Sequence, residues 1–171
     1  INDDNVCYFA GDLRRLALVD NDAGLPPGEY VEYQVCVADD AIPLKASLVW
    51  TDYWGNPAAG VQLVNDLNLI ATDGINTYKG NVYAGGQSIT GGVWDRRNVE
   101  ECVRRNTPTV GLWTFRIEGA NVPIGPQRFA LVITGALGNA SGFVSLAQAI
   151  YAGTGTLGIR VVDTNAGAQI S

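Results

Sequence analysis

The sequence predicts an all-β protein, a jelly-roll-like β-sandwich with a short strand-forming C-terminal tail. The prediction rests on apolar residues alternating at period two, on turn residues between the alternating runs, and on the lack of a sustained helical period. Val31, Tyr33, Val35 and Val37 share one face, with Glu32, Gln34 and Cys36 on the other. Ala46, Leu48 and Trp50 alternate with Lys45, Ser47, Val49 and Thr51. Leu67, Leu69 and Ala71 alternate with Asp66, Asn68 and Ile70, and Asp73-Gly74 then marks a tight turn from which residues 78–83 return as a hairpin partner. Trp113, Phe115 and Ile117 form a further inward set, and Phe129, Leu131 and Ile133 another. Gly55-Asn56-Pro57, Gly85-Gly86, Gly91-Gly92, Asn106-Thr107-Pro108 and the 123–126 stretch punctuate these runs. About eight short strands at this spacing fit a sandwich or jelly roll.

Composition sets the bounds. With 171 residues, 47% of them hydrophobic, the chain can bury a core, and its 21 glycines fit many tight turns. No apolar run reaches the ~20 residues of a membrane-spanning helix, so no membrane partner is expected. No signal peptide is visible, and the first residue is Ile1 rather than Met, so the chain is expected to begin inside a longer precursor. A net charge of −6 makes nucleic acid a poor partner, and Arg14-Arg15, Arg96-Arg97 and Arg104-Arg105 read as solvated surface.

The chain contains no histidine, which excludes a Ser-His-Asp or Cys-His mechanism within it and removes the commonest zinc ligand. Cys7, Cys36 and Cys102 form no CxxC motif, allow a single intrachain disulfide in any of three pairings, and also read as small buried hydrophobes. The remaining chemistry is that of carboxylates, amides and carbonyls, the ligands of hard cations such as calcium. Asp52 at one strand end, Asn65 and Asp66 at the start of another, and Asn81 and Glu100 beside neighbouring runs are the candidate calcium ligands. The bland alternative is that these carboxylates cap turns through backbone N–H groups. Asp20 and Asp22 form a lesser candidate group in what reads as a solvated turn. Tyr53, Trp54 and Trp94 lie in loops, where aromatic rings either stack on sugar or polypeptide or cover the open end of the sandwich. Glu100 and Glu101 are adjacent in a strand and so face opposite ways, which argues against a glycosidase-type carboxylate pair.

The organisation is a sandwich over residues 1–138, followed by a small-residue seam and a tail over 139–171. The tail holds strand candidates at 143–146 and 156–162 and a formal sequon at Asn139-Ala140-Ser141. It would add edge strands, begin a further β domain, or swap onto a second molecule as a strand-swapped dimer.

Read in order, the motifs carry a resemblance. They are Phe9-Ala10-Gly11-Asp12, Asp22-Ala23-Gly24-Leu25, Trp50-Thr51-Asp52 and Val64-Asn65-Asp66-Leu67-Asn68-Leu69. They continue as Tyr78-Lys79-Gly80-Asn81, Asn98-Val99-Glu100, Gly111-Leu112-Trp113-Thr114 and the 121–132 hairpin. This ordered set resembles the jelly-roll, P-domain-like region that follows the catalytic domain in secreted subtilisin-like serine proteases, the subtilase family. The chain departs from that pattern at Asn68, where the family often has an acid, and at Arg97, where it usually has Asn.

The resemblance implies a secreted, non-catalytic accessory domain that stabilises an upstream subtilisin-like catalytic domain and helps bind protein or peptide substrate, with calcium coupled to its stability. A calcium-dependent carbohydrate-binding module is the rival reading, since jelly rolls host both roles.

Overall fold

The computed structural model describes residues 13–138 together with the backbone of Leu146–Ala147. The described strands are β1 (Arg15–Leu25), β2 (Tyr30–Val37), β3 (Leu44–Val49), β4 (Asp66–Thr72), β5 (Thr77–Ala84), β6 (Gln87–Thr90), β7 (Glu100–Arg105), β8 (Gly111–Asn121), β9 (Gln127–Gly135) and β10 (Leu146–Ala147). One sheet has the order β1-β9-β3-β7, the other β10-β2-β8-β4-β5-β6. All their pairings are antiparallel.

The pairing is nested: β1 with β9, β2 with β8, β3 with β7, and β4 with β5. Successive early strands alternate between the two sheets, which is the jelly-roll wrapping of one long antiparallel ribbon. The alternating apolar sets meet between the sheets. Leu48, Leu67, Leu69, Phe115, Ile117, Leu131 and Ile133 are wholly buried there. Trp113 stacks between Tyr78, 5.8 Å away, and Phe115, 6.4 Å away, and its indole N–H donates to the Thr109 carbonyl at 2.8 Å. The polar end of the ring is therefore satisfied while its body fills the core.

The β4–β5 turn forms as its Asp-Gly signal predicts. Asp73 accepts hydrogen bonds from the backbone N–H groups of Ile75 and Asn76 and from the Thr109 hydroxyl. Burial alone would raise its carboxyl, but these donors outweigh it and hold the pKa at about 2.

One sequence expectation needs correction. Asp20 and Asp22 lie within β1 and not in a solvated turn. The period there is broken by a bulge: Asn21 Oδ1 accepts from Gly24 N at 2.9 Å, and the register with β9 shifts between Asn21 and Leu25. Gly24 sits at φ 78° with Pro126 2.9 Å from where a Cβ would be, so only glycine fits this corner. Nine strands lie within residues 13–138, where about eight were expected, and β10, in the tail, pairs with β2 at the edge of the second sheet. Cys7, the Phe9-Ala10-Gly11-Asp12 motif, the sequon at Asn139 and the 156–162 strand candidate fall outside the described residues.

The register makes a direct prediction. Trp113→Ala should cost about 3–5 kcal/mol, whereas Leu112→Ala, one residue away on the exposed face, should stay within about 0.5 kcal/mol, by urea unfolding. Equal costs would contradict the assigned face.

Candidate functional site

Two polar clusters interrupt the apolar interior. The first ties strand ends together at one pole. Asp52, just past β3, accepts from Tyr53 N at 2.8 Å and Asn65 N at 2.8 Å through Oδ1, and from Val64 N at 2.7 Å through Oδ2. The Trp50 indole donates to the Asn65 carbonyl at 3.0 Å. The Asn65 side chain donates to the Ile124 carbonyl at 2.5 Å and to Gln127 Oε1 at 2.8 Å, and accepts from Ile124 N at 3.1 Å. Gln127 in turn donates to the Thr51 carbonyl at 3.0 Å. Asp52 and Asn65 thus close a loop and clamp it to the β8–β9 turn.

Beside this pole runs an open groove of about 520 Å³, lined by Trp50, Asp52, Tyr53, Ile124 and Phe129 among others. Tyr53 and Trp54 lie with ring centroids 3.9 Å apart, and Trp54 is 77% exposed. Trp94 is not in ring contact with that pair; Lys79 Nζ sits 4.4 Å from its ring centroid and donates to the Gly92 carbonyl.

The second cluster lies where β4 parts from β5. Their pairing runs only from Thr72↔Thr77 to Ile70↔Lys79, so the N–H of Leu69 loses a strand partner. Glu101 on β7 fills the gap: its Oε2 accepts from Leu69 N at 2.5 Å. The close approach requires Gly80, because a Cβ there would stand 2.7 Å from Glu101 Cβ and nearer still to its carboxylate. Asn81, at φ 60°, sends its amide N–H to Asp95 and to the Glu100 carbonyl, and its oxygen accepts from Cys102 N at 2.9 Å. Asp66 pairs with Arg96, which also reaches Asn68 at 3.5 Å. Asp95 accepts from the backbone N–H groups of Arg97 and Asn98 and from the Asn98 amide.

Two oxygens here are buried without a partner, Asp66 Oδ1 and Glu101 Oε1. Burial pushes Glu101 up to about 8, opposed by the Leu69 N–H and reinforced by the charges of Asp66 and Asp95. Burial also raises Asp66, against the pull of Arg96. The guanidinium of Arg96 supplies a positive charge among these carboxylates.

Of the five candidate calcium ligands, the structure places Asp52 and Asn65 in the first cluster and Asp66 and Asn81 in the second. Glu100 points outward, where it accepts from Ser47 Oγ at 3.2 Å. Among the described residues, no three Asp, Glu, Cys or His side chains stand together in a metal-holding group. Asp66 is the one of the five with a buried oxygen lacking a partner. Glu101, Arg96, Asp95 and Gln127 were not singled out from the sequence as site residues. For Glu101 a signal existed: it shares the inward register of Val103, so a carboxyl stands where an apolar residue is expected.

No protein-family model matches the chain. It is 30% identical over 99 residues to the Serine protease/ABC transporter B family protein tagA of Dictyostelium discoideum, a match covering 56% of this chain. It is 35% identical over 101 residues, 54% of this chain, to the protein tagD of the same description and organism. Each match spans 6% of the relative's own length. The chain therefore has a distant, partial relationship to proteins named as serine proteases.

Two predictions follow from this geometry. Because Glu101 titrates higher folded than unfolded, its stabilising share is complete below the ordinary carboxyl value of 4.5 and is lost as pH rises through about 8. Glu101→Gln keeps the acceptor for Leu69 N–H, so it should be at least about 1 kcal/mol more stable than wild type at pH 9 and similar at pH 5, by urea unfolding. Asp52→Ala removes the acceptor of three backbone N–H groups and should cost about 2–3 kcal/mol; a loss under about 0.5 kcal/mol would show that the loop does not need its clamp.

Proposed function

We propose that this chain is a non-catalytic accessory domain of a subtilisin-like serine endopeptidase, acting outside the cell, where it braces the catalytic domain and helps hold protein substrate. The observation that carries this reading is the partial relationship to serine-protease-named proteins, joined to a jelly roll whose motif residues hold its fold together. Asp52, Asn65 and Gln127 knit the junction of β3, β4 and β9, and beside them Gly80, Asn81 and Asp95 knit β5 to the start of β7. In the absence of histidine, the peptide-bond chemistry belongs elsewhere in the parent protein. The pair Tyr53–Trp54 beside the 520 Å³ groove is the proposed contact for substrate polypeptide.

Calcium belongs to this reading as a proposed ligand of Asp66, whose Oδ1 has no hydrogen-bond partner. Amide and backbone carbonyl oxygens would complete its shell. An ion bound by the folded state alone would add stability by mass action. Carbohydrate binding is the second reading, favoured by the exposed Trp54 ring.

A fluorophosphonate probe of serine hydrolases should leave this chain unlabelled, whereas labelling would overturn the non-catalytic role. In the parent protease, removing residues 13–138 should shorten the thermal half-life of peptidase activity at least about tenfold and leave kcat on a short peptide within about twofold. Loss of kcat itself would place the domain in the chemistry, and an unchanged half-life would remove the bracing role. Thermal unfolding with calcium and then with chelator, repeated on Asp66→Asn, tests the ion: a calcium-dependent rise in Tm abolished by the substitution is expected. A glycan array in which Trp54→Ala abolishes binding would favour the carbohydrate reading.

A further inference from the structure

The two outer faces of the sandwich differ. On the six-stranded sheet the outward side chains satisfy one another: Arg116 pairs with Glu32 at 2.6 Å and Glu118 at 3.5 Å, its guanidinium lies 4.1 Å from the Tyr30 ring centroid, and Gln34 bonds Thr114. On the four-stranded sheet the register lays the outward residues in three cross-strand rows. The middle row is Leu18, Val132, Ser47 and Cys102. One flanking row runs through Leu16 and Thr134 to Lys45 and Arg104. The other runs through Asp20 and Ala130 to Val49 and Glu100.

The middle of this face is apolar and open. Leu18 is 63% exposed and Leu16 49%, and a groove of about 410 Å³ between Val132 and Tyr83 crosses it. Its two ends carry opposite charge. At one end Arg104 and Arg14 stand close enough to Lys45 to help depress its pKa, behind the larger effect of burial. At the other end Asp20 and Glu100 are both exposed.

We propose that this face binds a second copy of the same chain, face to face, about a two-fold axis lying along the middle row. Such an axis sets each apolar middle residue against its own counterpart and each flanking row against the opposite one. Arg104 then meets the partner's Glu100 twice per dimer, with Lys45 alongside. The perpendicular in-plane axis would set Asp20 against the partner's Glu100 and leave Arg104 facing Leu16, so charge disfavours it. Strands ~4.8 Å apart and same-face residues ~7 Å apart make this a small patch, below the standard interface size, so the dimer is weak and salt-sensitive. This dimer uses intact strands and needs no exchange of the C-terminal tail.

Sedimentation of the whole chain up to about 0.5 mM tests it. A monomer–dimer equilibrium is expected, weakened by added salt. The doubly substituted chains Lys45→Glu/Arg104→Glu and Asp20→Lys/Glu100→Lys should each dimerise at least about tenfold more weakly. Mixed in equal amounts they should recover a heterodimer, because one face is then acidic at both ends and the other basic at both ends. Unfolding midpoints close to wild type confirm that the variants fold. Should either substitution at Glu100 or Arg104 unfold the chain, Leu18→Arg on the exposed edge strand gives the same reading. A wild-type chain that stays monomeric throughout, variants that dimerise undiminished, or a mixture that stays monomeric would overturn the proposal and leave the face to another domain of a longer protein.

Discussion

One buried amide organises the sandwich. Asn65 stands at the start of β4 and is 1% exposed, and its side chain reaches the β8–β9 turn at Ile124 and the head of β9 at Gln127. Its carbonyl receives the Trp50 indole and its backbone N–H the Asp52 carboxylate, so β3, β4 and β9 meet at a single residue. β3 and β9 belong to one sheet and β4 to the other. Hydrophobic contact alone holds two sheets together without choosing how far one slides over the other. Directional hydrogen bonds from a buried group do choose, since leaving any of them unmade costs the full desolvation of that group. The apolar core is arranged around this pin.

The neighbouring cluster is built on a compromise. β5 turns away from β4 at Gly80 and Asn81, which lets the left-handed Asn81 bridge to β7 but strips Leu69 of its ladder partner. Glu101 restores that bond with one oxygen and leaves the other unpaired. A carboxyl in this position is tolerable because protonation removes its charge, which the raised pKa of about 8 expresses. Arg96 performs the corresponding service for Asp66 from a more exposed position.

Most of the architecture was legible from alternation. The inward sets of β2, β3, β8 and β9 are the residues the period-two pattern names, because each of those strands has one face on the core. β1 was missed since its bulge at Asn21 breaks the period and its outward leucines blur the contrast between faces. The polar clusters were half legible. Asp52 and Asn65 could be placed at a strand junction from their motif, and Asp66 could be flagged as a candidate calcium ligand but not as buried. The role of Glu101 depended on the gap left by β5, which arises from tertiary register and has no local signature. Asn68, outward by alternation, is buried as well, and Arg96 reaches over it at the start of β4.

The nested pairing also sets a condition on synthesis. β1 lies against β9, so the first strand of the sandwich waits for residues 127–135 before its ladder can close. Most strand pairs described here join segments far apart in sequence, the β4–β5 and β5–β6 hairpins being the local exceptions. Such a topology folds slowly and late on the ribosome, with the apolar faces of β2 and β3 uncovered in the interval. A domain emerging before this one in a longer polypeptide would have to reach its own fold unaided, and the jelly roll could support it only after the chain has left the exit tunnel.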